Sequence, residues 1–470
     1  MRRKKIAVIG LVLGLISNVF LGCGKDMEDG SLASGKSGSS KEGYVLNSAD
    51  TGGSLSGGDT SAISGTKGEA GEADRAGDTL LPEEVPLPAG DLDSGLISEA
   101  EAAGCLPEPG DREQIPPQAG LLTAGEWRDN ENWGFFTNLV QTGRFSFRQF
   151  GMAPYQRVVV QALSNGEPAA KVKVRLCTVS GSAISCAVTD HNGKAYLYYN
   201  VYDGAEIADH VVLEKPDGEV VMMLEKEDMD QVWDSGVGQE NRQGAMEHLS
   251  STLVTVEIGS FTNPVRALDL MFVFDTTGSM GDELLYLQKE FEDIAGRVAD
   301  QSTRFSVNFY RDHGDAYTIH PNPFSNDIKA TSALINAESA DGGGDYEEAV
   351  DEALIDAVME HEWRKEAVKL MFLILDAPPH DTSEVAANLR MALEEAAGSG
   401  IRIIPIAASG VNEKTEAFLR SIAMLTGGTY TFLTDDSGVG NPHLEPTVGA
   451  YTVEALNDMI VRLVREYYGD

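Results

Sequence analysis

From about residue 266 to the C-terminus, short apolar runs alternate with longer amphipathic ones. The runs "ALDLMFVFD", "RFSVNFY", "AVKLMFLILD", "IRIIPIAAS" and "TYTFL" are near-continuously apolar, which predicts strands buried on both faces. Between them, "DELLYLQKEFEDIAGRVAD", "SEVAANLRMALEEAAGS" and "VEALNDMIVRLVREYY" carry helical spacing. The alternation predicts an α/β domain with a doubly wound, mostly parallel, Rossmann-like sheet over residues 263–470.

A different pattern precedes it. Between about Gln156 and Ile258, alternating runs such as "RVVVQAL", "AKVKVRLC" and "KAYLYYNVY" are separated by Asn165-Gly166, Asn192-Gly193 and Asp217-Gly218. Turn signals at this spacing predict an all-β antiparallel sandwich. "NGEPAAKVKVRL" and "TDHNGKAYL" resemble bacterial immunoglobulin-like and carboxypeptidase-regulatory-like modules, so a spacer role is expected of residues 119–262. The aromatic stretch 121–136, with Trp127, Trp133, Phe135 and Phe136, reads as a packing cap on that sandwich. A two-residue hairpin turn at Gly181-Ser182 would set Cys177 and Cys186 directly opposite one another, within reach of a disulfide. Cys105 is then left over.

Residues 23–118 are rich in Gly, Ser, Ala, Asp and Glu with few large apolar side chains, the composition of a disordered acidic tether. Before it, Arg2 to Lys5 are basic, Ile6 to Leu21 are largely apolar, and Gly22 precedes Cys23. This N-terminus resembles a bacterial lipoprotein signal peptide, residues 1–22. The resemblance implies cleavage before Cys23, lipidation of that cysteine, and a chain anchored to the outer face of the cell membrane, or to an outer membrane where the envelope has one. With 74 acidic against 36 basic residues and a net charge of −38, the chain should repel nucleic acid and attract divalent cations.

Those cations have a candidate destination. The first strand of the α/β region ends in "DTTGSMGD", setting Asp275, Thr277 and Ser279 just past its carboxyl end, where open α/β sheets bind ligands. "LMFLILDAPPH" sets Asp376 at the end of another strand, and the glycine-rich loop "ADGGGDYEEAVDEAL" offers Asp345. Carboxylates and hydroxyls are hard donors suited to Mg2+, Mn2+ or Ca2+. The competing reading makes Asp275 and Ser279 helix caps.

Over about its last 200 residues the chain resembles the von Willebrand factor type A family, whose metal ion-dependent adhesion site carries Asp-x-Ser-x-Ser after its first strand. Asp275, Thr277 and Ser279 match that motif with Thr for the first Ser, and Asp376 matches the later aspartate. Asp345 stands where the family's threonine would. The loops "YRDH", "GGGD" and "DAPPH" are similar to those of a bacterial subgroup that includes domains attached to atypical kinases. The resemblance implies cation-dependent adhesion to a protein or matrix ligand. A third carboxylate at the ion would favour the cation and disfavour an acidic partner.

Arg311, Asp312 and His313 should share the rim, and His313 and His380 could meet as a second metal pair, although lone loop histidines are more often surface residues. No Gly-x-Ser-x-Gly, His-Glu-x-x-His or Walker loop accompanies these residues. The expectation is a non-enzymatic binding protein; the alternatives are an envelope scaffold presenting its sandwich to a glycan or protein, and a metal-dependent hydrolase.

Overall fold

The structure is a computed structural model that describes residues 122–202, 207–224, 249–264, 266–437 and 443–469. These all lie in one compact unit. The signal-like segment, Cys23, the tether and Cys105 lie outside the described residues.

The strands in chain order are β1 (Thr123–Trp127), β2 (Gln156–Ser164), β3 (Glu167–Pro168), β4 (Lys173–Cys177), β5 (Ala183–Val188), β6 (Lys194–Tyr198), β7 (His210–Glu214), β8 (Val220–Leu224), β9 (Ser250–Glu257), β10 (Leu268–Asp275), β11 (Thr303–Tyr310), β12 (Ile319–His320), β13 (Val368–Leu375), β14 (Ile401–Ala407), β15 (Tyr430–Thr434) and β16 (Glu454–Ala455). The larger sheet runs β12-β11-β10-β13-β14-β15-β1-β16. From β11 to β15 the neighbours are parallel, while β12, β1 and β16 join antiparallel.

Side-chain alternation along β10 explains its unbroken apolar run. Leu270, Phe272 and Phe274 enter one core with Leu284, Leu287 and Phe291 of helix Gly281–Val298. Met271 and Val273 enter the other, with Leu354, Leu389 and Phe418 from helices Val350–Met359, Ser383–Ser399 and Glu413–Thr426. Helices thus cover both faces, and the central strands have no wet side. Phe272 stacks on Phe372 across the β10–β13 pair at 5.5 Å.

The expected boundary at residue 119 is displaced. Thr123–Trp127 is a strand of the large sheet, wedged between β15 and β16, and Phe136, Phe145 and Phe147 belong to that domain's core. The stretch read as a cap on the sandwich is therefore structural in its neighbour. Gly125 is where Phe432 and Tyr451 close over the strand: a Cβ there would lie 2.5 Å from the Phe432 ring. Arg420, fully buried, clamps the segment through Asp129 at 2.7 and 2.8 Å.

The chain then leaves to build two four-stranded sheets, β3-β2-β6 with β9 on β2, and β5-β4-β7-β8. They share one core of Val158, Val160, Val174, Leu197, Val211 and Leu213. The pairing is not wholly antiparallel, because β9 runs parallel to β2 from Gln156↔Ser250 to Leu163↔Glu257. The paired sheets rest on the α/β region: the Arg402 guanidinium donates to the Val188 carbonyl at 2.9 Å.

The expected Cys177–Cys186 bridge is not formed. The β4–β5 turn bulges at Leu176/Cys177, Gly181 takes φ 84°, and the register sets Cys177 opposite Ala183 and Cys186 opposite Arg175. Cys177 is a buried free thiol. Cys186 is disulfide-bonded, and its partner lies outside the described residues.

Candidate functional site

The order of the large sheet reverses between β10 and β13: the chain proceeds from β10 outward to β11 on one side, and from β13 outward to β14 on the other. The crevice beyond such a reversal is where open α/β sheets bind ligands. β10 ends on Asp275 and β13 is followed by Asp376, so the two carboxylates stand at the ends of adjacent parallel strands.

Both are buried, at 0% and 4% exposure. The Thr277 amide and hydroxyl each donate to Asp275 Oδ1 at 2.8 Å, and Thr277 Oγ1 lies 3.4 Å from Ser279 Oγ. Ser279 in turn hydrogen-bonds Asp376. The motif therefore closes on itself, joining all four residues. Asp275 Oδ2 is buried without a well-formed hydrogen bond, although the Tyr310 hydroxyl stands close by. Helix capping does not explain the motif. The helix Gly281–Val298 has Met280 at its N-cap, and neither that helix nor the 3-10 turn before it receives a side-chain cap.

Asp345 is exposed, and no hydrogen bond or ion pair joins it to these residues. The loop instead sends in Glu348, which the sequence reading missed. Glu348 is 3% exposed and its Oε2 has no partner. Its amide donates to the Pro378 carbonyl at 3.0 Å, binding this loop to the "DAPPH" loop. Gly342 and Gly343 make the approach feasible: both take positive φ, and Gly342 lies so close to Asp315 that a Cβ would stand 2.4 Å from its carboxyl carbon. Only a glutamate in helix-like company marked Glu348 in the sequence, a signal indistinguishable from a solvated helix face.

Burial chiefly, and then Asp376, push the Asp275 carboxyl up to about 7. Burial, followed by Asp275, Asp312, Asp376 and Asp315, pushes Glu348 up to about 9. Asp376 is also raised, by burial and by Glu283, itself buried and held by Ser409. Among the described residues, no lysine or arginine forms an ion pair with Asp275, Glu348, Asp376 or Glu283. Arg311 is on this rim but pairs with Glu338 at 3.2 Å. An oxygen-only donor set with unpartnered buried oxygens and no protein counter-charge fits a hard divalent cation.

A second group stands beside it. Asp312 and His313 follow β11, and His380 ends the "DAPPH" loop; one ligand atom from each lies within 4.8 Å of the others. His380 Nε2 is 2.9 Å from Asp312 Oδ1, and the His313 and His380 rings stack at 5.8 Å. Burial would lower the His380 pKa, but the Asp312 carboxylate outweighs it and raises it.

No curated protein matches the chain. Among solved structures it is similar to the conserved hypothetical protein BatB from Bacteroides thetaiotaomicron, at 13% identity and a TM-score of 0.32, over 43% of this chain and 100% of that one. Residues 269–442, which contain the whole crevice, match the von Willebrand factor type A domain.

Proposed function

We propose that the chain is a lipid-anchored surface protein that binds a protein or matrix ligand through a divalent cation held by Asp275, Thr277, Ser279 and Asp376. The observation that carries the reading is the buried, counter-charge-free carboxylate group at the sheet's point of reversal, with Asp275 Oδ2 and Glu348 Oε2 unpartnered. Mg2+ or Mn2+ suits such a set, and Ca2+ is the third candidate. Type A domains often mediate protein–protein interaction, which supports binding in place of catalysis.

Glu348 takes the part first given to Asp345. A third acidic group beside Asp275 and Asp376 strengthens the hold on the cation and weakens its pull on an outside carboxylate. The partner is accordingly expected to offer a neutral oxygen donor to the ion and basic side chains to the acidic rim. Anchorage through Cys23 accords with the N-terminal pattern and would hold the domain at the membrane surface.

The test is calorimetric titration of the full chain in detergent with Mg2+, Mn2+ and Ca2+, alongside Asp275→Ala. Saturable binding to the wild type and a loss of at least about 100-fold in the variant are expected. Absence of binding to the wild type, or equal binding by both proteins, would reject the site.

A further inference from the structure

We propose that Asp312, His313 and His380 form a second metal site, chemically distinct from the first, which takes a zinc-class divalent ion and leaves part of its coordination sphere open at the rim. It goes beyond the adhesion-type site because different side chains build it, the loop after β13 giving Asp376 to the first site and His380 to the second. Asp312 and His313 come from the turn after β11, and His380 from the loop after β13. The strand between them, β10, supplies Asp275 of the first site.

The donor chemistry separates the two. Two imidazoles and one carboxylate suit a borderline ion such as Zn2+, whereas the all-oxygen group at Asp275 suits a hard one. Three protein ligands with a remaining position filled by water or an outside group is the arrangement of open zinc sites. Tetrahedral ligands about 2.0–2.2 Å from zinc stand roughly 3.3 Å from one another. The Asp312–His380 pair, at 2.9 Å, is already near that spacing. The full set lies within 4.8 Å, so a closing movement of at most about 1.5 Å is required. His313 can supply it, since its side chain is 56% exposed and its contact with Glu352 is long, at 3.7 Å.

The surroundings anchor the less mobile members. Asp315 Oδ2 accepts from the Asp312 amide at 3.2 Å and from the Gly343 amide at 2.9 Å, tying the "YRDH" turn to the glycine loop. An independent pointer comes from Glu348. Its side chain is buried, its Oε2 is unpartnered, and the carboxylates of Asp275 at the first site and Asp312 at the second both raise its pKa. A carboxylate shared between two centres is at home when both hold cations and is poorly compensated when neither does. The alternative is an ordinary His380–Asp312 ion pair with His313 stacked on it.

The experiment uses the full chain without a histidine tag, held in saturating Mg2+ to occupy the oxygen site and titrated with Zn2+ by calorimetry. Co2+ absorption in the visible range reports the coordination. The expected result is one Zn2+ per chain, weakened at least 10-fold in His313→Asn and in His380→Asn, and retained in Asp275→Ala. The exposed position of His313 makes its variant the one that will fold regardless. No Zn2+ binding by the wild type, or binding by both histidine variants as tight as that of the wild type, would overturn the proposal. So would Zn2+ binding abolished by Asp275→Ala alone, which would assign the ion to the first site.

Discussion

Strand β10 carries an aspartate near each end, and both are fully buried: Asp269 beside its start and Asp275 at its finish, each at 0% exposure. Asp269 is surrounded by guanidinium groups. Arg304 donates to it twice, at 2.9 and 2.8 Å, and the Arg364 amide and Nε add two bonds at 2.8 Å. Burial alone would raise its pKa, but these bonds overcome it and lower the pKa. Asp275 has the same strand, burial and chemistry, but among the described residues no lysine or arginine pairs with it, and its neighbours are Thr277, the Tyr310 hydroxyl and further carboxylates. One end of the strand has its counter-charges from the protein; at the other, the proposed cation would supply them. A buried charge completed within the fold is architecture, and one left incomplete beside a crevice marks a site.

The largest expected effect tests the completed end. Asp269→Ala leaves Arg304 and Arg364 facing each other without their shared anion, and should cost about 3–5 kcal/mol, read as a lower urea midpoint at unchanged slope. Asp275→Asn in cation-free buffer at pH 8 should leave stability unchanged or raise it. Equal losses in the two variants would mean that both ends are structural.

The pH dependence should run in opposite directions at the two ends. The Asp269 pKa is depressed, so its contribution is present above the ordinary carboxylate range and lost as pH falls through its folded value. Asp275 is raised from 3.8 to about 7 and Glu348 from 4.5 to about 9. The folded state keeps protons there that the unfolded chain releases, so stability falls as pH rises between about 4 and 9, by on the order of a few kcal/mol. Thermal melts with EDTA should decline across that window, and saturating Mn2+ should remove most of the decline. A flat profile in EDTA would show that the carboxylates at the crevice carry no stored repulsion.

Next in size is Glu348→Gln. Removing a buried carboxylate from among others should raise the cation-free melting temperature, while Mn2+ affinity falls about 10-fold, in the range for groups that support a metal without being its principal ligands. A fall in both would recast Glu348 as a structural residue.

How far these features could be read before folding depends on how local each signal is. The apolar runs of β10, β11, β13 and β14 predict a parallel core, and the convergence of Asp275, Thr277 and Ser279 needs only a strand end and one turn. Asp376 was legible for the same reason. The role of β1 was not, because its partners Tyr430–Thr434 lie about 300 residues downstream and no local pattern names them. The Cys177–Cys186 pairing failed through a bulge that shifts the register, which composition at the turn does not reveal. Glu348 failed because an acid just ahead of a helix is ordinary; only its burial, with Asp275 and Asp312 acting on it, sets it apart.

That last difference yields the smallest predicted effect. Asp345 and Glu348 lie three residues apart in one glycine-rich loop, and the sequence resemblance favours Asp345 as the third acidic group at the ion. Asp345 is exposed, and its charge helps to raise the His380 pKa. An exposed charge interacts through solvent and is screened over about 8–10 Å at physiological salt. Asp345→Ala should therefore change Mn2+ affinity at the first site by less than about 3-fold, and less still in 0.5 M NaCl, with stability altered by under about 0.5 kcal/mol. A salt-insensitive loss of 30-fold or more would mean that the glycine loop swings Asp345 inward when the cation arrives. Glu348 and Asp345 would then exchange roles, because the crevice already holds three acids and the ion can accept only a limited number before its site becomes too negative to draw a partner.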